Sequence, residues 1–183
     1  MKKTACLIIL CISLFIFAAK TQSQPLSSED IKASMLKEWE RAKSYTVDYL
    51  NTMPADKYGF KAVDSLRSFS NQMLHLASGN VFLMMNATDA KTPAWFARDL
   101  ETRPSAQGKD SVMYYVVSSY DYCIGAVKGL DVSKWGEKKK IFNYEETRYA
   151  LINKTFEHQT HHRGQTTIYI RLQNIKPPQE RLF

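Results

Sequence analysis

Four long stretches of this chain place apolar residues at three- and four-residue steps, the spacing that gives an α-helix one apolar face. The spacing predicts helices over about 28–53, 64–87 and 110–130, and a fourth from residue 143 or 145 to about 174. Residues 166–170 favour a strand locally, and no strand pattern stands out elsewhere. Four amphipathic helices in one small domain predict an all-α four-helix bundle.

Residues that begin or stop helices frame the first and last of these stretches. Ser28 is followed by Glu29 and Asp30, which supplies hydroxyl and acidic side chains to the first turn. Pro54 ends this helix, and Pro177 prevents the fourth from continuing. Residues 133–142, with a run of three lysines at 138–140, could contact an anionic surface, but a solvated loop is the more usual meaning of so short a run.

The first 23 residues form a separate unit. Lys2 and Lys3 precede a short apolar run at 5–19, a pattern typical of a secretory signal peptide and shorter than the ~20 residues of a membrane span. We predict a signal peptide over 1–23, cleaved after Ser23 or, alternatively, after Ala19, and a mature bundle domain over 24–183. The protein is then exported, to the periplasm or the medium of a bacterium. The alternative is an N-terminal anchor that is retained.

Charge and cysteine content narrow the possible partners. Residues 1–23 carry three lysines and no acid, so their removal lowers the net charge from +7 to +4, with 22 Lys and Arg against 18 Asp and Glu. So mild a charge does not indicate nucleic acid as a partner, and nothing after residue 23 indicates a membrane. Removal also leaves Cys123 as the one cysteine, which we interpret as a small buried apolar residue rather than a nucleophile.

Common cofactor and nucleophile motifs are absent from the sequence. It has no phosphate-binding P-loop, no glycine-rich dinucleotide fingerprint, no Cys-x-x-Cys pair and no Gly-x-Ser-x-Gly elbow. ATP, NAD and dithiol redox chemistry are therefore not indicated.

Three of the four histidines lie in one five-residue segment, 158–162, of the fourth predicted helix. His158 and His162 are about 40° apart on a helical wheel at ~100° per residue, so both rings can reach one metal ion on an inward face. His161 lies to one side and is expected to be exposed. His75 sits at the edge of the apolar face of the second helix, which suits either the rim of a site or a half-exposed surface position.

The helical histidine pair does not match the zinc peptidase motif. That motif places a glutamate directly after the first histidine as general base. Gln159 occupies this place and cannot accept a proton at neutral pH, so a peptidase of the thermolysin type is disfavoured.

These residues give the chain a resemblance to the DinB/YfiT-like family. The segment His158-x-x-x-His162-Arg163-Gly164-Gln165 carries most of it, and Arg67-Ser68-Phe69 leading to His75-Leu76-Ala77 carries the rest. The resemblance implies an up-down-down-up bundle, a metal site formed by His75, His158 and His162, and a homodimer. Some members of the family are thiol S-transferases and many have no assigned reaction, and members are often cytoplasmic.

Three neutral imidazoles leave a divalent metal ion with an open position. Zinc is the expected ion, with nickel, iron or manganese as alternatives, because nitrogen ligands select weakly among them. The open position can lower the pKa of water or deprotonate a thiol, which gives hydrolysis or thiol transfer on a small molecule. Glu157, Gln165 and Asp121 are candidates for orienting the imidazoles, and the catalytic base is not identified.

A second hypothesis is a non-catalytic binding module in which the metal is structural or absent. A structural zinc site is usually closed by a fourth protein ligand, and no further histidine or cysteine is placed to supply one. Tyr49, Tyr115 and Tyr122 could line a site, although tyrosines in a bundle usually serve packing.

Overall fold

The computed structural model describes residues 25–183. The predicted signal peptide lies outside the described residues. Four long helices dominate: α1 (Ser28–Thr52), α2 (Phe69–Thr88), α3 (Lys109–Gly129) and α4 (Arg148–Leu172). A hairpin of two strands, β1 (Lys138–Ile141) and β2 (Tyr144–Thr147), precedes α4. Single 3₁₀ turns occupy Ala55–Lys57, Pro104–Ala106 and Val132–Lys134. The prediction of four helices is confirmed.

Helix α2 begins five residues later than the spacing predicts. Leu66 fits the apolar spacing but lies before the helix and is half exposed. The hydroxyl of Ser68 accepts a hydrogen bond from the backbone N–H of Asn71, which makes Ser68 the N-cap. Residues 53–68 therefore form a long connection, and its backbone pairs with the start of α2 through Tyr58 and Phe60.

The prediction of a solvated loop followed directly by the fourth helix is wrong for residues 138–147, which form the hairpin. Its turn includes Phe142 at a positive φ of 53°. Buried Arg148 holds the hairpin in place, since its guanidinium donates to Glu137, to Asp89 and to the carbonyl of Ala87. Helix α4 can begin only after Thr147, whose hydroxyl caps it, and it runs without interruption through the β-prone residues 166–170.

Contacts between the helices establish their directions. Tyr169 bonds to Arg67 and Arg148 bonds to Ala87, so α4 runs antiparallel to α2. Ser70 bonds to Gln107 and Asn80 to Ser119, which makes α2 and α3 parallel. Lys109 reaches the end of α1, so α3 runs antiparallel to α1. The bundle is thus up, down, down, up, and residues 89–108 form the long crossover that two parallel helices require.

The core lies between all four helices and contains mostly aromatic, leucine and methionine side chains. Cys123 is fully buried, and burial raises the pKa of its thiol well above the usual value. The interpretation of Cys123 as a buried apolar residue is confirmed. None of the helices in residues 25–183 has the length and apolar character that crossing a membrane demands.

Candidate metal centre

Helices α2 and α4 bring His75, His158 and His162 together into what we call the histidine cluster. One potential ligand atom from each residue lies within 4.8 Å of the other two. The ring centroids are 4.5 Å apart for His75 and His162 and 4.4 Å apart for His158 and His162. His161 is exposed, as its place on the helical wheel predicts. The cluster has the number and kind of ligands that could hold a divalent metal ion.

Gly79 makes room for the ring of His158. The glycine lies one helical turn after His75, on the same side of α2. A methyl group at position 79 would lie 2.6 Å from Nδ1 of His158 and would overlap its Cε1. Glycine in a helix interior costs about 1 kcal/mol relative to alanine, and here it allows an imidazole to lie directly against the backbone of α2.

Glu101 fixes the ring of His75. Its carboxylate oxygen Oε2 lies 2.8 Å from Nδ1 of His75. A carboxylate only accepts, so Nδ1 carries the proton and Nε2 keeps its lone pair for a ligand bond. The other oxygen accepts from Nε of Arg67 at 2.5 Å. Metal-binding histidines typically have such a carboxylate partner.

The crossover segment holds Glu101 in this position through its backbone. The carbonyl oxygen of Glu101 accepts hydrogen bonds from the side-chain amides of Asn71 and Gln107. Asn71 belongs to the first turn of α2, one turn before His75. The orienting carboxylate is therefore anchored to the same helix as the ring that it orients.

Gln72 approaches the third ring. Its amide nitrogen lies 2.8 Å from Nδ1 of His162, and it also bonds to the side chain of Gln165. A half-turn of the Gln72 and Gln165 amides together places the Gln72 oxygen at the ring, where it accepts from Nδ1–H and leaves Nε2 of His162 free to bind. The Gln165 nitrogen then donates to the same Gln72 oxygen. Gln72 is buried, so it has few alternative partners.

The surroundings of His158 and His162 favour the uncharged imidazole. Burial, followed by the neighbouring His75, lowers the pKa of His158 to about 4. Burial, followed by His158, lowers the pKa of His162 to about 3. Both rings are therefore neutral at pH 7, the form in which imidazole binds a metal ion.

One ring nitrogen of the cluster has no partner. Nδ1 of His158 is buried, and no hydrogen-bonding group of residues 25–183 reaches it. An unpaired buried polar atom costs about 1–3 kcal/mol. Such an atom beside two further imidazoles is consistent with a site adapted to a cation.

An open cavity of about 800 Å³ adjoins the cluster at His162. Its lining includes the polar residues Arg67, Glu101 and Gln165 and the apolar residues Leu66 and Ile168. A volume of this size falls within the range of small-molecule sites. The cluster is therefore accessible to a ligand of moderate size.

The predictions of orienting residues had mixed outcomes. Gln165 is linked to His162 through the side-chain amide of Gln72, which contacts both residues. Asp121 lies on the outer side of α3, where it pairs with Lys43. The prediction that Asp121 orients an imidazole is therefore wrong. Glu157 is exposed and has no hydrogen bond among the described side chains.

Tyr49 bonds to Thr167 on another face of α4 and lines a different cleft.

Sequence reasoning missed Glu101, Gln72 and Gly79. Glu101 lies 26 residues after His75 on a segment without helical periodicity, so no spacing rule connects the two. Gly79 offered a usable signal, since a glycine four residues after a candidate ligand on a helix often marks a close approach. Gln72 offered the weaker signal of lying one turn before His75.

Comparisons with known proteins agree with this architecture. The model of the DinB family matches residues 23–180. The crystal structure of a DinB-like protein from Bacillus cereus has a TM-score of 0.70 at 13% identity, covering 81% of this chain and 97% of that one. A DinB-like protein from Bacillus subtilis gives 0.63 at 13% identity, over 82% and 96%. At such identity these structures show a shared fold alone. No curated protein matches the chain.

Proposed function

This chain belongs to the DinB family, and we propose that it is an exported metal-dependent enzyme, a hydrolase or a thiol transferase acting on a small molecule. The proposal rests above all on the convergence of His75, His158 and His162 within 4.8 Å beside an open cavity. Zinc is the ion we propose, with nickel, iron and manganese as alternatives.

The donor set supports an open site rather than a closed one. Within residues 25–183 the cluster has three members, and Glu101 is engaged with His75 and Arg67. A divalent ion held by three neutral imidazoles keeps a position open and acts there as a Lewis acid toward a water, thiol or carbonyl group.

The chain's own residues would set the geometry of that site. Glu101 keeps the proton of His75 on Nδ1, and Gln72 does the same for His162 once its oxygen faces the ring. The guanidinium of Arg67, next to both Glu101 and His75, places a positive charge at the cavity wall. This charge attracts a negatively charged group that enters the cavity.

Removing the ligands tests the metal site. We expect protein purified without a His tag to contain about one equivalent of metal by elemental analysis. His158→Ala and His162→Ala should each lose it. His161→Ala is the matched control, because this exposed histidine lies between the two ligands and should leave the metal content unchanged. Undiminished metal in both ligand variants would dismiss the proposal.

Chelation distinguishes an open site from a structural one. The three-ligand cluster favours a bundle that stays folded after treatment with EDTA, because its core is formed by apolar contacts between all four helices. Circular dichroism should then show unchanged helix content. Loss of helical signal on chelation would instead support the non-catalytic module with a structural metal.

Export and assembly complete the proposal. The basic start and short apolar run of residues 1–23 support a signal peptide, and mass spectrometry of the mature N-terminus tests it, with Gln24 as the expected first residue. Family membership supports a homodimer, which light scattering of the purified protein tests. The proposed localisation is the periplasm or the external medium.

A further inference from the structure

The cavity next to the histidine cluster is lined by both apolar and charged side chains. Leu66, on the connection before α2, and Ile168, on α4, both line it. Each is a large apolar side chain that remains exposed, by 46% and 56%. Ala62 and Tyr169 also line it, and we call these four residues the apolar wall. Apolar side chains from two separate elements that meet at a cavity are typical of a ligand-binding surface.

Charged side chains line the same cavity. Arg67 has five N–H groups, of which Glu101 engages one at 2.5 Å, so donors remain for a ligand. Lys61 adds a second positive charge and is exposed. Asp64 and Glu101 contribute two carboxylates to the same lining. These two carboxylates balance the charges of Arg67 and Lys61, so an anionic ligand is attracted by the remaining N–H donors of Arg67 and by the charge of the bound metal ion.

From the presence of exposed apolar side chains and a cationic side chain in one cavity beside the histidine cluster, and resting on the proposed metal site, we propose that the ligand is an amphipathic monocarboxylate. The carboxylate lies between the histidine cluster and Arg67, and its aliphatic chain lies along Leu66 and Ile168. A volume of about 800 Å³ accommodates such a molecule.

A chain-length series tests this assignment. Zinc-loaded protein is titrated calorimetrically with acetate, butanoate, hexanoate and octanoate, and the bound zinc is measured in every sample. Each methylene buried on the apolar wall should tighten binding by about three- to fourfold. Hexan-1-ol and hexylamine, with the same chain but without a carboxylate, should bind at least tenfold more weakly than hexanoate.

Variants of the apolar wall locate the chain. Leu66→Ser combined with Ile168→Ser should flatten the dependence on chain length and leave the affinity for acetate unchanged. The control is Val63→Ser combined with Leu172→Ser. Val63 and Leu172 are equally exposed apolar residues on the same two elements, but they do not line the cavity. The control should retain the full dependence.

The outcomes separate the two proposals. Protein that keeps its zinc but binds all four acids equally overturns the ligand assignment and leaves the metal site standing. The ligand assignment is also overturned if affinity depends equally on chain length in the Leu66/Ile168 variant and in its Val63/Leu172 control. Protein that binds no zinc overturns both proposals. Tightening with chain length that only the wall variant loses supports the assignment.

Discussion

Helix α4 carries two polar clusters on neighbouring faces, offset by one residue. His158 and His162 face α2 within the histidine cluster. Gln159 and Arg163 face α1 and α3, where they belong to what we call the buried polar network, completed by Tyr45, Thr46 and Tyr120. In the network the hydroxyl of Tyr120 donates to Oε1 of Gln159 at 2.6 Å and bonds to Thr46 at 2.7 Å. Arg163 donates to the same Gln159 oxygen at 3.2 Å and lies 4.6 Å from the centre of the Tyr45 ring.

The difference between the clusters lies in how their polar groups are satisfied. The polar groups of the network form hydrogen bonds with one another. Burial raises the pKa of Tyr120 to about 12, so this tyrosine does not titrate near neutral pH. The histidine cluster leaves Nδ1 of His158 unpaired among the described residues and adjoins an open cavity. A satisfied buried network stabilises a fold, while an unsatisfied one beside a cavity indicates binding. We therefore expect mutations in the first to change stability and mutations in the second to change metal affinity.

The largest effect on stability should come from Gln159→Leu. This change removes the acceptor of buried Arg163 and one partner of Tyr120, which leaves a guanidinium without its hydrogen bond. An unsatisfied buried charge costs more than a neutral group, so we expect a loss of about 3 kcal/mol in the free energy of unfolding. Denaturant titration of metal-free protein measures it.

The same variant also tests the separation of the two clusters. Zinc stoichiometry should stay unchanged in Gln159→Leu, because no hydrogen bond joins Gln159 to the three histidines among the described side chains. Tyr120→Phe, which removes a hydroxyl and retains the ring, serves as the milder comparison at about 1 kcal/mol. A Gln159→Leu protein of normal stability with weakened zinc binding would reverse the assignment of the two faces.

Gly79→Ala should show the opposite behaviour. The added methyl group displaces the ring of His158, so zinc affinity should fall at least about 100-fold. The metal-free protein should be as stable as the wild type or more so, because alanine favours a helix by about 1 kcal/mol over glycine. Competition with a chromophoric chelator measures affinity, and denaturation measures stability.

Gly125→Ala is the matched control for this experiment. Gly125 is an exposed glycine within α3, and a methyl group there meets no atom within 4 Å. This control should gain the helical stabilisation and keep full zinc affinity. Wild-type zinc affinity in Gly79→Ala would show that the ring of His158 is not needed where the structure places it.

The sequence predicts the two faces of α4 unequally. Spacing alone identifies His158 and His162 as a pair, because residues four apart on a helix share one side. It does not reveal that Gln159 and Arg163 form a network, since their partners come from α1 and α3 and depend on how the helices pack. Sequence reasoning used Gln159 to exclude a peptidase motif, and the structure adds its role in binding Tyr120 and Arg163.

The parts that sequence patterns did not predict are set by tertiary contacts. Glu101 meets His75 because Asn71 and Gln107 hold the crossover against α2, and that path has no periodic signature. The hairpin strands are mostly exposed and lack the alternation of a half-buried strand. Arg148 holds the hairpin through contacts with distant residues.

Glu101→Ala refines the comparison by testing a residue that orients a ring without joining the ligand set. His75 would lose the acceptor for Nδ1–H, and zinc affinity should fall by about 10- to 100-fold. Glu101→Gln, whose amide oxygen still accepts, should recover most of the affinity. Asp99→Ala is the control, because it removes a carboxylate paired with Arg103 on the same segment. Equal affinities in Glu101→Ala and Asp99→Ala would exclude an orienting role.

The smallest effect is the response of metal-free protein to mild acid. The pKa values of His158 and His162 in the folded protein, about 4 and about 3, lie below the usual histidine pKa of 6.5. Below pH 6.5 these two imidazoles therefore bind protons in the unfolded chain but remain neutral in the folded chain. The free energy of unfolding falls as the pH is lowered toward 3. Between pH 7 and pH 5 we expect a loss on the order of 1 kcal/mol, because water in the adjacent cavity screens the rings.

Replacing both rings isolates this contribution. The carboxylates with lowered pKa values, such as Asp89 and Asp131, lose their charges below the usual aspartate pKa of 3.8, outside this interval. Denaturation of His158→Gln/His162→Gln protein should therefore give a nearly constant stability from pH 7 to pH 5. The free energy of unfolding of Gln159→Leu should start lower than that of the wild type and fall with pH equally steeply, because the buried polar network contains no group that titrates between pH 7 and pH 5. A slope that survives in the double glutamine variant would assign the acid response to groups outside the histidine cluster.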